Sequence, residues 1–190
     1  MDAEAFNGKR VLVVGGAGFV GSNLVRLILG GSPEVEVVVV DNLLSSERDN
    51  LPLTDSRLEL RVGSIADDAI LAGVKDEFDF VFHLACFHGN QSSIHDPIAD
   101  HDNNLVTTLK LFHHLSGFQR IERVVYSGAG CAAAEKTYDA ASATTEEAPL
   151  SLDQDSPYSI SKLVGEFYAV YFHKQHALPV VRARFQNVYG

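Results

Sequence analysis

Val11-Leu12-Val13-Val14-Gly15-Gly16-Ala17-Gly18-Phe19-Val20-Gly21 is the stretch that decides the fold. Four apolar residues run directly into a glycine cluster, and a helix-like pattern from Phe19 to Leu29 follows. Strand, glycine turn and helix in that order form the context a dinucleotide fingerprint requires. Gly15 permits the tight turn, Gly18 lets the backbone approach a pyrophosphate, and Gly21 lets the helix pack closely. The helix start then offers unpaired N–H groups and a positive dipole end to phosphates. A second signal lies twenty residues past Gly21, where the run Val35 to Val40 ends at Asp41. A carboxylate there can accept hydrogen bonds from both adenosine ribose hydroxyls and repels a 2′-phosphate, so the pair of signals favours NAD over NADP.

Working outward, short apolar runs alternate with helical patterns. Strands are expected at about 11–15, 35–40, 58–62, 79–84, 122–127 and 179–185, and helices at about 19–30, 66–73, 100–116 and 157–176. Such alternation predicts an α/β fold with a doubly wound, mostly parallel sheet, the Rossmann arrangement. Residues 132–154 have little periodicity and read as a functional loop beside a binding site. The whole chain of 190 residues fits one domain with a substantial core.

A second constellation opens the last long helix. Tyr158-Ser159-Ile160-Ser161-Lys162 follows Pro157, a residue suited to a first helical turn. The spacing of four puts Tyr158 and Lys162 on one face. A phenol is a poor base at neutral pH, but a nearby ammonium favours its ionised form, so the pair can trade a proton with a substrate hydroxyl. The lysine can also hold a nicotinamide ribose.

Composition narrows the partners. Hydrophobic residues make up 46% and charged residues 21%, ordinary for a globular chain, and the net charge of −10 argues against a nucleic-acid duplex or an anionic membrane surface. No apolar run reaches a membrane span's length, and the amino terminus lacks a signal-peptide core. Two cysteines, Cys86 and Cys131, suit a reducing compartment, so a cytoplasmic location is expected. Of the eight histidines, His113-His114 and His173 with His176 lie on expected helices but have no carboxylate at a matching spacing, so no metal is expected. His83, at the end of an apolar strand, reads as a satisfied, half-buried histidine.

With these residues in place, the chain resembles the extended short-chain dehydrogenase/reductase family, specifically NAD-dependent nucleotide-sugar epimerases and dehydratases. The likeness runs from Arg10 to Gly190 and rests on residues 15–21, Asp41-Asn42-Leu43, Gly63-Ser64-Ile65, His83-Leu84-Ala85-Cys86, Ser93 to Pro97, Asn104, Tyr158 to Lys162 and Arg184 to Gly190. The resemblance implies that Gly15, Gly18, Phe19, Val20 and Gly21 meet the cofactor and that Asp41 and Asn42 contact its adenosine ribose. Ser64 and Ile65 would touch adenine, although the family usually has Asp where Ser64 stands. Leu84, Ala85 and Phe87 would line the cofactor's path, Asn104 would brace the floor, Ser127 would end the fifth strand beside the cofactor, and Phe185 would pack near the nicotinamide. Tyr158 and Lys162 would be catalytic, and Asn187 would meet the diphosphate of a nucleotide-sugar substrate.

Two departures stand out. The family's Ser or Thr two residues past the strand-ending serine is Ala129 here, with Ser127 or Cys131 as substitutes if the loop is remodelled. The Asp-Glu pair that dehydratases carry next is Gly130-Cys131, which puts epimerase ahead of dehydratase. Relatives also continue into a sugar-binding lobe, so the resemblance implies that residues 1–190 are the NAD-binding domain and that most of that lobe is absent from this chain. Alongside the enzyme reading stands a catalytically inactive NAD-binding sensor or partner subunit. A homodimer pairing the helices near Asp100 and Pro157 through Leu105, Leu109, Phe112, Leu115, Phe167, Val170 and Tyr171 is expected from the same resemblance.

Overall fold

The computed structural model describes residues 3–87, 89–130, 145–146, 150–186 and 188–189. Six strands form the sheet: β1 (Arg10–Val14), β2 (Glu36–Asp41), β3 (Leu58–Val62), β4 (Phe80–His83), β5 (Arg123–Ala129) and β6 (Val180–Phe185). Their order is β3-β2-β1-β4-β5-β6, and every neighbouring pair is parallel. The doubly wound Rossmann architecture expected from the sequence is therefore present. Register in the centre pairs Val11 with Val37 on one side and with Phe80 on the other.

Alternation along β1 explains why Val11 to Val14 are all apolar. Val11 and Val13 join Val37 and Val39 beneath α1 (Phe19–Gly31), which buries Val25, Ile28 and Leu29 against them. Leu12 and Val14 point the other way with Val38, Val40, Val81, Val124 and Tyr126. There they meet Leu111, Phe112 and Leu115 of α5 (Thr107–Leu115) and Ala169 and Phe172 of α6 (Pro157–His176). A strand covered on both faces has no polar side to show, so it reads as a continuous run.

The helix expected at 100–116 is more elaborate. Two short helices, α2 aside (Asp68–Ala72), precede it: α3 (Asn90–His95) and α4 (Pro97–Asp100). A π-helical turn, His101–Val106, then joins α4 to α5. Runs of six and four residues are too short to show a 3.6-residue period, which is why the sequence did not reveal them. Ser156 caps α6, its Oγ accepting from the Ser159 N–H at 3.2 Å, with Pro157 in the first turn. Among the described residues no helix is long and apolar enough to cross a membrane.

Candidate functional site

The sheet's order reverses between β1 and β4, and a cleft of about 250 Å³ opens above the carboxyl ends of the strands there. Gly15 holds φ +81°, and a Cβ on it would overlap the Ala85 backbone of the neighbouring strand end. A Cβ at Gly21 would overlap the Gly15 carbonyl. Gly18 is different: a Cβ there would meet only the Gly15 oxygen, at 3.5 Å, so internal packing does not demand glycine. What Gly18 keeps open is the cleft. As the N-cap of α1 it contributes no side-chain cap, which leaves the first-turn N–H groups facing that space.

The sequence-predicted residues assemble in two adjoining chambers. Gly15, Gly18, Phe19, Val20, Gly21, Asp41, Asn42, Ser64, Ile65, Leu84, Ala85 and Phe87 all line the first. Asn104 sits beneath its wall rather than on it. Its Oδ1 accepts from the Phe87 N–H at 2.8 Å, and its Nδ2 donates to the Phe87 carbonyl at 3.3 Å. Asp41 is buried, and its carboxylate is already engaged. Oδ2 accepts from the Ala17 N–H at 2.9 Å, while Oδ1 accepts from the Leu43 N–H at 2.9 Å and the Ser46 hydroxyl at 3.0 Å. It ties the glycine turn to the following loop, where Leu43 takes a left-handed φ of 56°.

The second chamber shares Val20, Leu84 and Cys86 with the first and brings in Ser127, Tyr158, Lys162 and Phe185. Lys162 is buried. Its ammonium donates to the Ser127 carbonyl at 2.9 Å and to Ser127 Oγ at 3.3 Å. It also lies 5.4 Å from the Tyr126 ring centroid and 5.8 Å from that of Tyr158. Tyr126 secures this arrangement from below: its hydroxyl donates to Lys162's own carbonyl at 3.3 Å, close against Gly165. Burial raises the Tyr126 phenol's pKa, with the Glu166 carboxylate adding to the shift, so this tyrosine stays protonated. One turn past Lys162, fully buried Glu166 receives Arg184 Nε at 2.9 Å and Nη2 at 2.8 Å, which docks α6 on β6.

The position where a hydroxyl was expected is apolar. The Ala129 methyl packs with Leu163, Leu150 and Tyr158. Ser127 is committed to Lys162, while Cys131 and Asn187 lie outside the described residues. Gln186, not singled out from the sequence, lines the second chamber, and its carboxamide fills the space above Gly130 that a side chain there would need. Ser93, quoted from the sequence only as the start of a motif, and Ser156, not singled out, also have roles here. Ser93 Oγ accepts from the Tyr158 N–H at 3.1 Å, and Ser156 Oγ donates to Asn90 Oδ1 at 3.0 Å, so α3 clamps the start of α6. The serine before Pro157 was a readable capping signal. The link to α3, more than sixty residues away, was not.

His83 is fully buried rather than half-buried, and burial, with the Lys162 charge second, pushes its pKa down to about 3. Thr108 Oγ1 gives its proton to the Asn104 carbonyl at 2.6 Å, so His83 Nε2 donates to Thr108 at 2.9 Å. Its Nδ1 has no partner among the described residues. Of the remaining histidines, His114 reaches the Val74 carbonyl and His173 the Leu178 carbonyl. Among the described residues no His/Cys/Asp/Glu group is arranged to hold a metal.

Comparison with known proteins agrees with this geometry. The model of the NAD dependent epimerase/dehydratase family matches residues 11–190. The Bordetella bronchiseptica enzyme WbmF, solved in complex with NAD+ and UDP, is 54% identical, with a TM-score of 0.84 over 98% of this chain and 51% of that one. The epimerase Mth375 from Methanothermobacter thermautotrophicus is 38% identical, with a TM-score of 0.90 over 100% of this chain and 55% of that one. A UDP-glucose 4-epimerase of Mycolicibacterium smegmatis is 32% identical over 95% of this chain and 56% of its own length. The chain spans about half the length of the relatives it matches.

Proposed function

Because this chain belongs to the NAD-dependent epimerase/dehydratase family, we propose that it binds NAD in the first chamber and acts on a nucleotide-linked sugar at the second. The observation that carries the reading is Tyr158 beside Lys162 in a chamber continuous with the glycine-lined cleft. The residues present fit the cofactor. The uncapped α1 start suits a pyrophosphate, Asp41 and Asn42 stand at the ribose end, and Lys162 faces the nicotinamide end. In this reading residues 1–190 are the cofactor-binding domain. The relatives solved or named with UDP and UDP-sugars support a uridine diphosphate sugar as the substrate class.

Bound NAD would supply a reversible acceptor for a hydride from a sugar carbon. Tyr158, in its phenolate form, takes the proton of the hydroxyl on that carbon and becomes the neutral phenol, and the Lys162 ammonium favours the phenolate before the transfer. Ser127 and the Tyr126 ring hold the ammonium in place for that task. Gly130 offers no acid for expelling a hydroxyl, which favours epimerisation over dehydration. Asn187 is assigned to the substrate diphosphate. The exposed stripe of α6, Ile160, Phe167 and Tyr171, supports a homodimer.

Calorimetric titration with NAD and NADP tests the binding half: NAD binds more tightly, and equal affinities or no binding overturn it. Tyr158→Phe tests the chemistry. Turnover of a UDP-sugar drops by about 10²–10⁴-fold while NAD affinity changes little, the loss expected of a general acid–base group. Unimpaired turnover would assign the base elsewhere.

A further inference from the structure

We propose that Asp100 is a positioning residue that joins the helix carrying Tyr158 and Lys162 to the wall of the cofactor cleft. Asp100 is fully buried where α4 passes into the π-helical turn. Its Oδ2 accepts from the Ser161 hydroxyl at 2.6 Å, and its Oδ1 accepts from Asn104 Nδ2 at 2.7 Å. Ser161 is the residue before Lys162. Asn104 in turn grips the Phe87 N–H and carbonyl in the cleft wall. One carboxylate therefore links, by hydrogen bonds, the residue before Lys162 to the residue that grips the cleft wall.

The choice of a carboxylate has a directional consequence. An ionised carboxylate only accepts, so Asn104 must present its NH₂ to Asp100. That fixes the amide the other way round toward Phe87, where its oxygen receives the Phe87 N–H. Without an acceptor at residue 100 the amide loses one of the bonds that set its orientation, and Ser161 loses its partner. Burying a carboxylate is costly unless the fold uses it, and both oxygens here are taken by donors. Asparagine can reproduce the pattern: its oxygen accepts from Asn104 and its NH₂ donates to Ser161, whose hydroxyl rotates. Alanine cannot.

The inference rests on the cofactor reading only where affinity is concerned, so the test has two independent readouts. Nuclear magnetic resonance on the unaltered chain comes first: the Asn104 side-chain NH₂ should exchange slowly with solvent, as both protons are bonded. Fast exchange there overturns the proposal without any variant being needed. In Asp100→Ala, the Phe87 amide should exchange about tenfold faster while β4 amides such as Val81 keep their rates. NAD affinity, measured well below the melting temperature, should fall by about tenfold, the equivalent of one buried hydrogen bond. Asp100→Asn should restore both properties to within about threefold of the original. Loss of thermal stability with unchanged Phe87 exchange and unchanged affinity would make Asp100 a packing residue only and sink the idea. Failure of the unaltered chain to bind NAD would overturn the cofactor reading, while the Phe87 exchange pattern would still decide the role of Asp100.

Discussion

Asp41 shows how a residue can be found correctly and understood incompletely. Its place at the end of β2 was legible, because a valine run ending in an acid is a visible pattern. Its bonds to Ala17, Leu43 and Ser46 were not, since they depend on how the turn and loop fold back. The carboxylate is a strut as well as a candidate ribose acceptor. Asp41→Ala should thus weaken NAD binding by at least about tenfold without converting the chain to NADP, since two or more buried bonds are lost together. Titration calorimetry checks this, and a variant that binds NADP as tightly as the original binds NAD would contradict it. His83 gives a second residue-scale prediction. The folded state refuses a proton that the unfolded chain takes below the ordinary value of 6.5, so stability falls as pH drops from 6.5 toward 3. Between pH 6.5 and 5 the chain should lose about 1.6 kcal/mol more than His83→Gln does, as the slope climbs from half of ~1.4 kcal/mol per pH unit at pH 6.5 toward the full value. Urea denaturation at the two pH values measures it; parallel losses would mean that His83 does not stay neutral.

At the scale of elements, α6 was the most legible and the segment from α3 to the π-helical turn the least. A twenty-residue helix with a proline start and a Tyr-Lys pair declares itself. The α3–α4 segment packs against α6, and its local signal is slight: the Asp96 cap and Pro97 that open α4. Ala129 and Lys162 were readable as positions, but the Tyr126 support beneath Lys162 was not. That support depends on Gly165. A Cβ there would overlap the Tyr126 hydroxyl and ring. Gly165→Ala would normally strengthen a helix by about 1 kcal/mol. Here it should instead destabilise the chain by roughly 1–3 kcal/mol, the usual cost of overpacking. A higher urea midpoint for this variant would show that the Tyr126 contact is loose.

For the whole molecule, the doubly wound sheet followed directly from the order of apolar runs, whereas association depends on which helix face is left over. Phe112 and Leu115, expected to contribute to pairing, are fully buried against the sheet. The surface that remains is Ile160, Phe167 and Tyr171, each about half exposed, at near-helical spacing along α6. Light scattering should give a dimer mass, and Phe167→Glu with Tyr171→Lys should give a monomer that keeps its circular dichroism. A monomer at all concentrations before any substitution would count against pairing.

The parallel sheet also governs the order in which the chain can acquire its shape. No two neighbouring strands are joined by a hairpin, so each pairing must wait for a crossover to be made. β1, β2 and β3 lie within residues 10–62 and can pair while the rest is still being synthesised. The centre cannot close so early, because β1 meets β4 through contacts such as Arg10 to Asp79, 69 residues apart. Until β4 emerges from the ribosome, one long edge of valines stands unpaired. Folding should accordingly be slow, and nascent chains halted before residue 80 should be the ones that chaperones hold and that aggregate most readily.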